Sequence, residues 1–177
     1  MKVAFQGVPG AYSEEAIRMF YGTEADVVPC KTLGEVFDAV EGGAADRGMV
    51  PVENAIAGSV TRSYELLMDR DLRVQAEVIL RVRHMLMAGP NTVLSDLKRA
   101  RSHPQALAQC SHFLASLEDC HVEAFTDTAM SVQKVGADQD LSQAAIASEE
   151  AARRYGLHVI RRDIANQKEN YTRFMVV

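Results

Sequence analysis

Short apolar runs alternate with capped amphipathic stretches along this chain, and glycine, proline or a capping hydroxyl marks most of the junctions. That alternation constrains the fold to α/β layers, in which helices cover the faces of largely parallel sheets. Residues 2–6 read as a short buried strand, closed by Gly7-Val8-Pro9-Gly10. A helix follows from about Ser13, with Glu14 and Glu15 in its first turn, where the macrodipole favours acids. Residues 27–28 and 48–52 read as strands. Thr32 and Glu35 have the spacing of a capping box and open a helix that stops at Gly42-Gly43. Residues 59–68 read as helix, 72–80 as a long alternating strand and 85–88 as a further strand. Ser102-His103-Pro104-Gln105 reads as a second capping box with Ser102 as its cap, and proline sits where a missing N–H is harmless. Residues 121–125, 144–147, 158–164 and 171–177 read as strands, and 127–135 and 148–155 as helices.

Two features suggest two lobes. The strand near 72–80 can carry the chain out of one lobe, and the strand near 158–164 can carry it back. The expected division is residues 1–77 with 157–177, and residues 78–156. A ligand site is then expected in the interlobe cleft, beside strand C-termini and helix N-termini. The net charge of −5 argues against a nucleic-acid surface. No apolar stretch approaches the length of a membrane span, and the apolar start is too short for a secretory signal, so the chain is expected to be cytoplasmic. Cys30, Cys110 and Cys120 have no metal-like spacing and are expected to be reduced thiols.

Five polar segments fall at the expected junctions or ends. The glycine-containing segment ending at Ser13 permits close backbone approach, but has no dinucleotide fingerprint. Glu53 and Asn54 follow a buried strand directly, ahead of Gly58-Ser59-Val60. Gln105 and Gln109 lie one helical turn apart on a common face beyond Ser102 and His103. Thr126 stands at another strand end. The closing Thr172 and Arg173 are neighbours, so on a strand they point to opposite faces unless the segment bends. Each segment alone also reads as a cap or turn. Together they supply hydroxyls, amides, helix N-termini and one Arg fork, which suits a small carboxylate substrate and a reaction needing no cofactor.

Read in order, these segments resemble the prephenate dehydratase family. The match runs from the opening loop (7–13) through Pro51-Val52-Glu53-Asn54 with Gly58-Ser59-Val60, then Ser102-His103-Pro104-Gln105-Ala106-Leu107-Ala108-Gln109-Cys110, then Ala145-Ile146-Ala147-Ser148 with Tyr155-Gly156-Leu157, and ends in Asn170-Tyr171-Thr172-Arg173-Phe174. Ala55 departs from the family, which often has Ser or Thr there. The resemblance implies a two-lobed fold like that of type II periplasmic binding proteins, with two crossover strands and no regulatory ACT domain after residue 177. It implies a lyase that converts prephenate to phenylpyruvate, water and carbon dioxide in phenylalanine biosynthesis, without a cofactor, as a homodimer or homotetramer. Arogenate dehydration, or mere capture of a small anion on the same fold, are the alternatives. Thr172, Asn54, Glu53 and Ser102 would be catalytic. Arg173, Phe174, Gln105, Gln109, Ser13, His103 and Thr126 would bind substrate. Thr172 would donate to the departing oxygen, with Glu53, His103 or water as a proton relay.

Overall fold

The computed structural model describes residues 1–177. In chain order the first elements are Lys2–Gln6 (β1), Tyr12–Tyr21 (α1), Asp26–Cys30 (β2), Leu33–Glu41 (α2), Arg47–Asn54 (β3), Gly58–Ser59 (β4), Thr61–Asp69 (α3) and Ala76–Arg81 (β5). There follow Met85–Ala88 (β6), Arg99–Ser102 (β7), Pro104–Gln109 (α4), Ser111–Ala115 (α5), His121–Ala124 (β8), Thr128–Asp138 (α6), Gln143–Ala147 (β9), Glu149–Tyr155 (α7), His158–Arg161 (β10) and Tyr171–Val176 (β11). They form two compact units, Met1–Val82 with Glu169–Val177, and Arg83–Lys168. The chain changes unit several residues later than the strand pattern suggests on both passes. The reason is pairing: β5 bonds along its whole length to β11, and β10 bonds to β6, so neither strand is shared between sheets.

In the first unit the strand order is β2-β1-β3-β11-β5, with β4 folded back on β3. β1, β2 and β3 are mutually parallel, and β11 runs antiparallel to both β3 and β5. Helices α2 and α3 cover one face, over a core that includes Ala4, Val36, Phe37, Val50, Leu66 and Val177. Val3 and Phe5 alternate with Ala4 and so face the other way, where α1 lies against β1, β3 and β5. Gly48 is the closest approach in this core: a methyl placed there would lie 2.9 Å from Val177 Cγ2 and 3.0 Å from Val36 Cγ1.

In the second unit the order is β10-β6-β9-β7-β8. β7, β8 and β9 are parallel, while β6 is antiparallel to β9. All five residues of β9 are buried, as expected of a strand covered on both faces. Leu86, Ala88, Ala144 and Ile146 pack with α4 and α5 residues, while Met85, Met87, Ala145 and Ala147 pack with α6 and α7 residues.

Local expectations differ from the structure at several places. Residues 72–75 lie outside β5. Ser59 is not helical: Gly58, at φ +86°, turns the chain so that Ser59 pairs with Glu53 before α3 begins. Ser102 does not cap α4: it is the last residue of β7, its hydroxyl donates to the Ile146 carbonyl at 2.6 Å, and His103 caps instead, with Nδ1 accepting the Gln105 N–H at 3.2 Å. The Thr32 cap forms, accepting the Glu35 N–H, but Glu35 reaches back to the N–H of Lys31 rather than of Thr32.

Gly48→Ala should cost about 1–3 kcal/mol, because the added methyl forces Val36 and Val177 apart in a packed interior. Urea unfolding with an unchanged m-value and a lowered midpoint checks this.

Candidate functional site

In the first unit the parallel strands β1 and β3 end, and β11 begins, at one edge of the sheet. Antiparallel pairing puts Thr172 directly opposite Asn54. The Asn54 side chain is buried and fully engaged. Its Oδ1 accepts the backbone N–H groups of Ile56 at 3.1 Å and Ala57 at 2.9 Å. Backbone N–H groups only donate, so these contacts fix which end of the amide is oxygen. Nδ2 therefore donates, to Asn170 Oδ1 at 2.7 Å and Thr172 Oγ1 at 2.9 Å, with the Tyr171 carbonyl at 3.3 Å. A hydroxyl that accepts from an amide keeps its own proton to give. No group of the chain accepts that proton, and Thr172 is half-buried. The result is a donor held in place and aimed away from its support.

The neighbours of this pair lie on the opposite face. Arg173 stands across from Glu53 in the register. Its Nε and Nη2 both donate to Glu77 Oε2, at 2.8 and 2.5 Å, and Nη1 lies 4.0 Å from Glu53 Oε2. The Glu77 carboxylate raises the guanidinium pKa further. Phe174 is 1% exposed and belongs to the core. Ser13 is buried in the first turn of α1, behind a loop fixed by Glu14, whose carboxylate accepts the Gly10 N–H at 2.8 Å and pairs with Arg18.

In the second unit three parallel strands end at a common edge, and each feeds a helix: β7 through His103 to α4, β8 through Asp127 to α6, and β9 through Ser148 to α7. Asp127 takes the N–H groups of Ala129 and Met130. Thr126, one residue before this cap, is exposed. Gln105 is exposed on α4, and Gln109, one turn on, has its Oε1 2.7 Å from His84 Nε2. His84 is 3% exposed, and burial pulls its pKa down against the weaker upward pull of Gln109. At His103 the roles are set by capping: Nδ1 accepts, which leaves Nε2 as the protonated, donating nitrogen of the neutral ring.

The chain matches the model of the family described as prephenate dehydratase over residues 3–177. It belongs to the prephenate dehydratase family. Arogenate dehydratase/prephenate dehydratase 2 of Arabidopsis thaliana, a chloroplastic protein, is 42% identical over 177 residues, which are all of this chain and 46% of that protein. The chain thus spans about half the length of the curated relatives it matches. The structure of prephenate dehydratase from Arthrobacter aurescens in complex with L-Phe superposes with a TM-score of 0.92 at 29% identity, covering 99% of this chain and 59% of that one. GqqA, described as a quorum quenching acylase, superposes at 0.91 with 34% identity, covering 99% and 63%. A ligand-binding component of an ABC-type import system from Staphylococcus aureus, at 9% identity and a TM-score of 0.51, shares the fold alone, which is of the periplasmic-binding-protein kind.

Within this prephenate dehydratase fold the expected site residues divide. Thr172 and Asn54 are brought together, as are Gln105, Gln109 and His103 on and before one short helix. Glu53 is separated from Thr172 by the sheet, so a direct relay between them does not fit its position. Arg173 offers its fork to Glu77 rather than outward, and the Ser102 hydroxyl is spent on Ile146. Two residues of these clusters escape sequence reasoning. Asn170 appears there only as part of the closing motif, and His84 is passed over within an apolar run. A polar side chain immediately before a strand was the available signal in both.

His84 has a defined effect on stability. Its folded pKa lies below the unfolded value of about 6.5, so the unfolded chain binds the proton that the folded imidazole refuses. Stability is undiminished above that pH and falls as pH drops through and below it. His84→Gln should flatten the slope of unfolding free energy between pH 7 and pH 5, measured by urea titration at several pH values.

Proposed function

We propose that this chain carries out the decarboxylating dehydration of prephenate to phenylpyruvate. The observation that carries the reading is the Thr172 hydroxyl, which accepts from Asn54 and has only its proton left to give. In this reaction the bond between the ring and its carboxylate breaks and carbon dioxide leaves. The electron pair moves through the ring, which becomes aromatic. The C–O bond opposite breaks, and the hydroxyl takes a proton and leaves as water. Charge therefore develops on the departing oxygen, and a preorganised donor aimed at it stabilises the transition state more than the ground state.

Thr172 supplies that donor. A threonine hydroxyl is a weak acid, so it gives a hydrogen bond to the leaving oxygen while water completes the protonation. The Asn54 N–H on Oγ1 steadies any negative charge that builds there as the proton shifts. Asn54 Oδ1 accepts two backbone N–H groups, which polarises the amide and strengthens its N–H as a donor. A carboxylate held by neutral donors, rather than by an ion pair, is less stabilised in the ground state, and this favours its loss.

Arogenate has an amino-acid side chain in place of the pyruvyl group and undergoes the same ring chemistry. The names of several 38–42% identical relatives include arogenate dehydratase, which favours it as the second reading. Turnover of each substrate separates the two, with phenylpyruvate detected by its ultraviolet absorbance in alkali and phenylalanine by amino-acid analysis. Turnover of neither removes both readings.

Thr172→Ala should lower kcat by about 10²–10⁴-fold with little change in KM, because the contact it removes is made to charge that develops only in the transition state. Thr172→Ser should keep most of kcat. Steady-state kinetics of both variants check this, and near-normal turnover by the alanine variant would remove Thr172 from the reaction.

A further inference from the structure

Asn170 is wholly buried, immediately before β11, and it meets the catalytic pair from behind. Asn54 has two N–H protons and three acceptors within reach: Asn170 Oδ1 at 2.7 Å, Thr172 Oγ1 at 2.9 Å and the Tyr171 carbonyl at 3.3 Å. The shortest contact is the one to Asn170. It occupies one proton and, with the planar geometry of the amide, aims the other at Thr172. Without that acceptor, the Asn54 N–H would be buried and unpaired, which is costly. The least costly relief is a rotation that brings it onto the Tyr171 carbonyl, and this turns the amide away from Thr172.

We propose that Asn170 is a positioning residue for Thr172, acting through Asn54. It touches neither the reacting atoms nor the hydroxyl. By accepting one Asn54 proton it holds the other on Thr172 Oγ1, so that the hydroxyl's proton faces outward. The inference rests on the reading of Thr172 as the donor to the departing oxygen.

A double-mutant cycle tests it. Asn170→Ala should lower kcat by about 10²-fold, the scale of a misplaced catalytic group, with KM nearly unchanged. In the Thr172→Ala background the same substitution should cost less than about threefold, because nothing remains to be positioned. Asn170→Asp keeps the acceptor and should restore kcat to within about tenfold of the wild type, although its added charge raises KM for an anionic substrate. Losses that multiply in the double variant overturn the proposal, and so does an Asn170→Asp enzyme as slow as Asn170→Ala. Asn170→Ser, which leaves space for a water against Asn54, takes the place of alanine in the same cycle if Asn170→Ala does not fold.

A substrate-free readout separates this proposal from the assigned reaction. Side-chain amide NMR of the wild type should show two resolved Asn54 Nδ2 protons, both protected from exchange. The serine or alanine variant should lose that protection, and the aspartate variant should keep it. Unchanged Asn54 signals in the serine or alanine variant overturn the positioning role even where the chain turns over neither prephenate nor arogenate. Loss of protection in a chain without turnover supports the contact and overturns only the assigned chemistry.

Discussion

A strand from the end of the chain occupies an interior position in the sheet built by its beginning. β11 lies between β3 and β5, bonded to both. β5 has no other partner in that sheet, so without residues 171–176 it would be a detached strand and β3 an uncovered edge. The pairing also creates the Thr172–Asn54 pair, whose members are separated by 118 residues. Completion of the fold and assembly of the Thr172–Asn54 pair are one event. Contacts of such long sequence separation carry a loop-closure cost before they stabilise anything.

The chemistry of the pair depends on neutral groups. The charged residues of the same strands, Glu53, Arg173 and Glu77, neutralise one another on the opposite face, where water screens them. Around Thr172 the partners are a carboxamide, two backbone N–H groups and another carboxamide. An amide is the side chain that can accept from the backbone and donate to a hydroxyl at once. Aspartate in place of Asn54 would lose both donated bonds and face Asn170 Oδ1 with another acceptor. In the second unit burial pulls the His84 pKa down, and its Nε2 lies 2.7 Å from Gln109 Oε1.

Much of the layering was legible in the sequence, because alternation of apolar runs and caps is a local property. The buried strands β1, β6 and β9 and the cap at Thr32 follow from spacing within a few residues. At the polar side chains the differences share one cause, which is a partner distant in sequence. Ser102 has every local feature of a cap, yet the Ile146 carbonyl, 44 residues away, takes its hydroxyl. Arg173 has the fork for a substrate carboxylate, yet Glu77, 96 residues away, fills it. Asn170 shows locally only as a polar residue before a strand, and its partner Asn54 lies 116 residues earlier. The alternation rule did separate Thr172 from Arg173, because it depends on the backbone of one strand alone.

One irregularity decides which side chain the Thr172 hydroxyl meets. Between the pairs Phe174–Pro51 and Arg173–Glu53 the register shifts by one, leaving Val52 as an extra residue in β3. Continued without that shift, the register Val50–Met175 and Pro51–Phe174 would place Val52 opposite Arg173 and Glu53 opposite Thr172. A carboxylate can only accept, so it would take the threonine proton and leave the hydroxyl nothing to donate outward. The bulge instead brings Asn54 opposite, and an amide that donates to the oxygen leaves the proton available. Pro51 lies beside the bulge, where its missing N–H removes a ladder bond, and its carbonyl is held by the Ser63 hydroxyl at 2.5 Å. The bulge thereby moves Glu53 to the far face, against Arg173, and the same one-residue shift accounts for both the available donor and the paired guanidinium.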